Sequence, residues 1–142
     1  MAHEITAHTI INGSRNLIVQ FNIESDGASG QYSDYTLLDL TDYTGGDQKQ
    51  PNNYKIMKVS GRNGAGTSFQ LKFGNTAGTH KLFFESVAEN EFFEDWSEIG
   101  GLSPLLANPD MTIRLTTLGF DASGDTMSLL IWLKKKTQNP GQ

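Results

Sequence analysis

The sequence predicts an all-β fold: an antiparallel β-sandwich, with the jelly roll as one form it can take and at most one short helix. Three observations predict it. Apolar and polar residues alternate with period two in seven or eight short segments. Clusters of Gly, Asn, Asp and Pro separate those segments at intervals of roughly ten residues. Helical spacing surfaces only once along the 142 residues, weakly.

Residues 2–11 concentrate β-branched side chains (Ile5, Thr6, Thr9, Ile10, Ile11) and stop at Asn12-Gly13-Ser14, a hairpin turn signal. Residues 16–24 alternate most cleanly, with Leu17, Val19, Phe21 and Ile23 opposed by Gln20, Asn22 and Glu24. After the breakers at 26–30, residues 35–41 resume a strand in which Leu38 and Leu40 share a face with Thr36, although the doubled Leu37-Leu38 leaves the register open. Residues 42–53 are polar and glycine-rich and read as a surface excursion. Residues 54–59 and 68–73 read as a second hairpin turning at Arg62-Asn63-Gly64-Ala65-Gly66, and residues 80–85 as a further strand. Residues 86–96 hold the one helix signal, from Val87, Phe92 and Trp96. Residues 110–136 read as a final hairpin: Met111, Ile113 and Leu115 line one face of its first arm, and Met127, Leu129, Ile131 and Leu133 one face of its second.

The opposite face of that last arm carries Ser128, Leu130, Trp132 and Lys134. A strand with one face in water should be polar there, so Leu130 and Trp132 imply a second burial, in this fold or against another chain. We take residues 1–136 as a single domain and 137–142 as a flexible tail.

Composition excludes several classes of function. With 16 acidic and 11 basic side chains, the chain lacks the cationic excess that phosphate neutralisation by a nucleic-acid binder needs. No cysteine is present, which removes disulfides, thiol nucleophiles and zinc sites with sulfur ligands. The N-terminus has no basic, apolar signal pattern, and no segment reaches membrane-spanning length, so neither secretion by a cleaved signal nor a membrane is expected. Charge is segregated: no Lys or Arg falls between Lys81 and Arg114, where seven acids do (Glu85, Glu89, Glu91, Glu94, Asp95, Glu98, Asp110), and Lys134, Lys135 and Lys136 follow. This reads as a solvated acidic segment with a solubilising end, or as two patches that orient subunits.

Motifs of chemistry are missing. His3 and His8, five apart on a strand, fall on opposite faces, and His80 stands alone. The paired acids Glu94-Asp95 and Asp121/Asp125 lack a calcium-loop pattern. Residues 61–66 look like a phosphate loop but precede a strand rather than a helix. No catalytic residue, cofactor or metal site is therefore expected, and the chain reads as a non-enzyme. The tyrosines Tyr32, Tyr35, Tyr43 and Tyr54, in or beside the loop-rich middle, leave a carbohydrate-binding β-sandwich as the alternative.

The stretches 95–102 (Asp-Trp-Ser-Glu-Ile-Gly-Gly-Leu), 115–119 (Leu-Thr-Thr-Leu-Gly) and 124–129 (Gly-Asp-Thr-Met-Ser-Leu), closing on Lys134-Lys135-Lys136, resemble small β-rich virion structural proteins of tailed bacteriophages. The resemblance covers about a third of the chain. It implies a non-enzymatic assembly role, as a capsid decoration or cement protein on the major capsid protein lattice, or as a tail or neck accessory. It further implies a protein made in the host cytoplasm and located in the virion, self-associating as a homo-oligomer, a trimer by preference. On that reading the interface positions are Leu130, Trp132, Ile5, Lys134 and Lys135.

Overall fold

The structure is a computed structural model that describes residues 3–13, 15–27, 31–43, 51–64, 66–86, 91–104, 108–120 and 124–137. These form nine strands: β1 (Glu4–Asn12), β2 (Asn16–Glu24), β3 (Tyr35–Asp39), β4 (Pro51–Asn63), β5 (Ser68–Asn75), β6 (Lys81–Ser86), β7 (Glu91–Asp95), β8 (Pro109–Leu118) and β9 (Thr126–Thr137). Two 3-10 turns, Leu40–Asp42 and Ser97–Ile99, are the helical elements among the described residues.

The strands make two antiparallel sheets, ordered β1-β2-β9-β4-β7 and β3-β8-β5-β6. Pairing is nested: β2 with β9, β3 with β8, β4 with β7 and β5 with β6. A folded ribbon of four nested pairs, wrapped so that alternate pairs fall in opposite sheets, is the jelly roll. The fold is thus the expected all-β sandwich, with β1 added outside β2 at one edge of the larger sheet.

The core is what period-two alternation places between the sheets. From the five-stranded sheet come Leu17, Val19, Phe21 and Ile23, then Tyr54, Ile56 and Val59, then Met127, Leu129, Ile131 and Leu133. Facing them are Leu37, Leu38, Phe69, Leu71, Phe73, Ile113 and Leu115. Tyr54 crosses the gap and donates its hydroxyl to the Thr112 carbonyl, 3.3 Å away, so its polar end is satisfied in the interior. Burial first, with the nearby Asp110 charge, pushes the Tyr54 phenol far above its ordinary value. At one end Phe69, Phe84 and Phe92 close the sandwich, with ring centroids 5.2 Å apart for Phe69–Phe92 and for Phe84–Phe92.

Several elements differ from the sequence expectation. Residues 110–136 are not a hairpin, because β8 and β9 lie in opposite sheets and the connection between them crosses the sandwich. The same holds for β4 and β5. Turn residues mark where a chain reverses, and a reversal into the facing sheet uses the same Gly and Asn signals as one into a neighbouring strand. The helix signal at 86–96 is instead β7, with 87–90 outside the described residues. Excursion 42–53 ends sooner than expected, since Pro51 already pairs with Thr137; 44–50 lie outside the described residues. Thr137 accordingly belongs to β9 rather than to a tail, while 138–142 are outside the described residues. The doubled leucines are explained by a bulge between Thr36 and Leu38, which turns Leu37 and Leu38 both into the core.

Gly61 lies in β4 between Leu129 of β9 and Phe92 of β7. A Cβ there would lie 1.9 Å from the Ser128 carbonyl oxygen and 2.8 Å from the Phe92 ring. Both neighbours are held, one by the sheet ladder and the other by the aromatic cluster. Gly61→Ala should therefore cost about 3 kcal/mol or more, at the upper end of overpacking effects, and denaturant unfolding should show a lower midpoint with an unchanged slope. Gly66→Ala, with open space around its Cβ, should cost less.

Candidate functional site

The two outward faces of the sandwich differ in kind. On the smaller sheet, Lys72 Nζ donates to Asp34 Oδ1 at 2.7 Å and Thr116 Oγ1 to the same oxygen at 3.1 Å. Arg114 Nη2 reaches Asp110 Oδ2 at 3.0 Å, and Arg114 Nε donates to Thr112 Oγ1. Gln70 Nε2 donates to Glu85 Oε2 across β5 and β6 at 2.7 Å. Here charges and hydroxyls satisfy one another, and the exposed Leu82 and Leu118 stand apart on β6 and at the end of β8.

The Lys72 hydrogen bond first of all holds the Asp34 carboxyl below its ordinary value, burial opposing it and Thr116 assisting. At Asp110 burial is the largest influence and pushes upward, yet hydrogen bonds from Thr112 and Arg114 outweigh it and leave the carboxyl lowered.

On the larger sheet the outward rows are different. Cross-strand register sets Ile11, Ile18, Trp132 and Lys58 side by side, and Asp95 next to Lys58. The following row runs His8, Gln20, Leu130, Ser60 and Phe93. Ile11 is 45% exposed and Phe93 61% exposed, while Ile18, Leu130 and Trp132 are half-buried by their neighbours alone. Trp132 Nε1 donates to Asn16 Oδ1 at 3.1 Å, which ties the indole to β2. Lys58 Nζ sits 4.5 Å from the Phe93 ring centroid. The result is an apolar strip across the middle of the sheet, with charge at its Lys58 and Asp95 end. Beyond it, Thr6, Asn22, Ser128 and Thr126, with Glu4, Glu24 and Arg62, line a groove of about 450 Å³.

Among the residues named from sequence, Leu130, Trp132 and Lys134 share this outward face. Ile5 does not: it is half-buried and packs against the core from the inward side of β1. Lys135 corrects the expectation most plainly. Alternation turns it inward after Leu133, where it is 5% exposed and donates to Asn12 Oδ1 and the Tyr43 carbonyl, both at 2.9 Å. A lysine with its ammonium satisfied inside the chain is not a surface for a partner. The Lys136 side chain lies outside the described residues. Sequence reasoning missed Ile18 and Phe93, the first for sitting in an otherwise polar row and the second for lying in a segment assigned to a helix.

The four tyrosines are not brought together: Tyr54 is in the core, Tyr32 and Tyr35 pack in a tilted pair with centroids 4.6 Å apart at one end of β3, and Tyr43 lies beyond its other end. His3 turns inward against Tyr32 and Phe120, both 5.0 Å away between centroids, and its Nδ1 accepts the Asp26 amide hydrogen at 3.2 Å. No group of three or more His, Asp or Glu side chains that could hold a metal ion occurs among the described residues.

No family model matches the chain, and no curated protein does. Among solved structures, it is similar to peruvianin-I, a cysteine peptidase from Thevetia peruviana latex, at 10% identity and a TM-score of 0.37, over 99% of this chain and 64% of that one.

The Asp34 pair gives a pH prediction. A carboxyl lowered on folding stabilises above its unfolded value of about 3.9, and the contribution disappears as pH falls through the folded value. Asp34 occupies the left-handed region with φ 50°, which Asn also tolerates. Asp34→Asn should cost about 0.5–1 kcal/mol at neutral pH, because the pair is only partly shielded, and thermal melts of variant and parent should converge as pH falls through the lowered folded value of Asp34.

Proposed function

We propose that this chain is a non-enzymatic virion structural protein that decorates or cements a phage capsid, docking on the major capsid protein lattice through the outward face of its five-stranded sheet. The observation that carries the reading is the strip Ile11, Ile18, Trp132, Leu130 and Phe93, on the opposite side of the molecule from a face whose polar groups are mutually satisfied. Apolar side chains flanked by charge suit a protein partner. A central Trp in a well-packed patch is the commonest kind of binding hot spot, and a stable interface needs about 800 Å² per partner. The resemblance at 95–102, 115–119 and 124–129 supplies the kind of assembly, and the virion is then the place of action. The strip alone would fit other virion proteins, such as those of the tail or neck, and capsid binding decides between them.

A test uses capsids assembled without this protein, with binding followed by co-sedimentation. Trp132→Glu and Phe93→Glu should each weaken binding by about 2 kcal/mol or more, with far-ultraviolet circular dichroism unchanged. Lys72→Glu on the opposite face should bind as the parent does. Retained binding by both strip variants, once folded, would end this assignment.

A further inference from the structure

Strand β1 stands apart from the other edges of the fold. The sheets end at β1, β7, β3 and β6. β7 and β3 have five residues each and β6 has six, whereas β1 has nine. β7 carries Glu91, Glu94 and Asp95, and β6 carries Lys81 and Glu85, charges of the kind that keep an edge from pairing. β1 has no Lys, Arg or Pro. It pairs with β2 alone, and all of its residues except Ile5 are exposed. Nor is it a loose arm: the His3 ring, its Nδ1 3.4 Å from Asp26 Oδ1, anchors its start, and Gly13 N donating to the Asn16 carbonyl at 2.9 Å closes the hairpin at its end. An ordered strand therefore presents one whole side of its backbone groups outward, and only another extended backbone can match their spacing.

We propose that the occupant of this edge is β1 of a second copy of the chain, paired antiparallel about a two-fold axis through Thr6, so that two five-stranded sheets become one sheet of ten. Two observations select this partner and this register. First, the ladder of β1 is regular up to Thr9, where a bulge interrupts it before Ile11. A two-fold at Thr6 pairs His3 with Thr9 of the second copy and uses the regular part of the strand to its limit, whereas a centre further along drives the ladder into the bulge. Second, that register sets Glu4 of each copy opposite His8 of the other. Among the described residues neither side chain has a hydrogen bond or ion pair within its own chain, and Glu4 instead faces the like charge of Glu24 directly across β1 and β2. An imidazole N–H opposite gives that carboxylate a donor, twice per dimer. The contact is isologous and closes at two copies, unlike a trimer, which would need β1 to meet a different edge.

The absence of cysteine makes the test clean. In the full chain, Thr6→Cys places two thiols directly opposite one another at the axis, within reach of a disulfide after small adjustment. His8→Cys leaves its two thiols about 13 Å apart along the strand. Under mild oxidation Thr6→Cys should form a covalent dimer at least about tenfold faster than His8→Cys, and Glu4→Cys mixed with His8→Cys should cross-link to each other faster than either does to itself. The uncross-linked parent should sediment as a concentration-dependent dimer. Glu4→Lys and His8→Glu should each weaken that dimer several-fold, and the double variant should recover it. A parent that stays monomeric to millimolar concentration, one that sediments as a trimer, or equal oxidation rates at positions 6 and 8 would overturn the proposal.

Discussion

The interaction on which the rest of this structure depends is the burial of one side of β9. Met127, Leu129, Ile131 and Leu133 all lie within the core, and β9 is the strand to which both β2 and β4 are hydrogen-bonded. Each such side chain contributes about 1.5–3 kcal/mol on leaving water. A strand has no freedom to bury one residue at a time: with a side-chain period of two, fixing four inward residues fixes the outward ones as well. Leu130 and Trp132 face outward because their neighbours must face inward. Their exposure is therefore a property of the chosen sequence and not an accommodation to the fold, since Ser, Thr or Lys at either position would serve the sandwich equally well.

That constraint explains what the sequence disclosed and what it hid. Alternation is local, so β2, β5, β8 and β9 were legible from their residues, and the abnormal outward face of β9 was legible with them. Topology is not local. Arg62-Asn63-Gly64 ends β4 with the same turn chemistry that Asn12-Gly13 uses between β1 and β2, yet the first leads across the sandwich and the second into the adjacent strand. What distinguishes them is the nested pairing of strands far apart in the chain, which leaves no mark on any short window. β7 was hidden for another reason: five residues with three acids give almost no alternation, and only Phe92 turns inward to reveal a buried side.

The composition of the outward face was half-legible for the same physical reason. Trp132 and Leu130 stood out within one strand, but a surface is assembled from rows that cross strands, and Ile11, Ile18 and Phe93 join the row only once register is known. Lys135 is the converse case. Read as part of a basic run, it is a surface charge; read by alternation from Leu133, it is an inward residue, and the Asn12 and Tyr43 oxygens make its burial tolerable.

Face and edge then combine through symmetry. Directly opposed residues of antiparallel strands project their side chains from the same side of a sheet, so a two-fold axis that pairs Thr6 with Thr6 runs perpendicular to the joined sheet. In the proposed dimer both copies would turn their Trp132 strips in one direction. If the strips dock as proposed, a pair facing the same way would meet a repeating lattice as a bivalent ligand: once the first had docked, the second would bind at a local concentration set by the ten-stranded sheet instead of by bulk solution. Two modest apolar patches can in this way hold more firmly than one, provided that the lattice repeat matches their spacing. A long free edge without Lys, Arg or Pro is a hazard in an isolated monomer, and the proposed pairing about Thr6 would convert it into the element that sets that spacing.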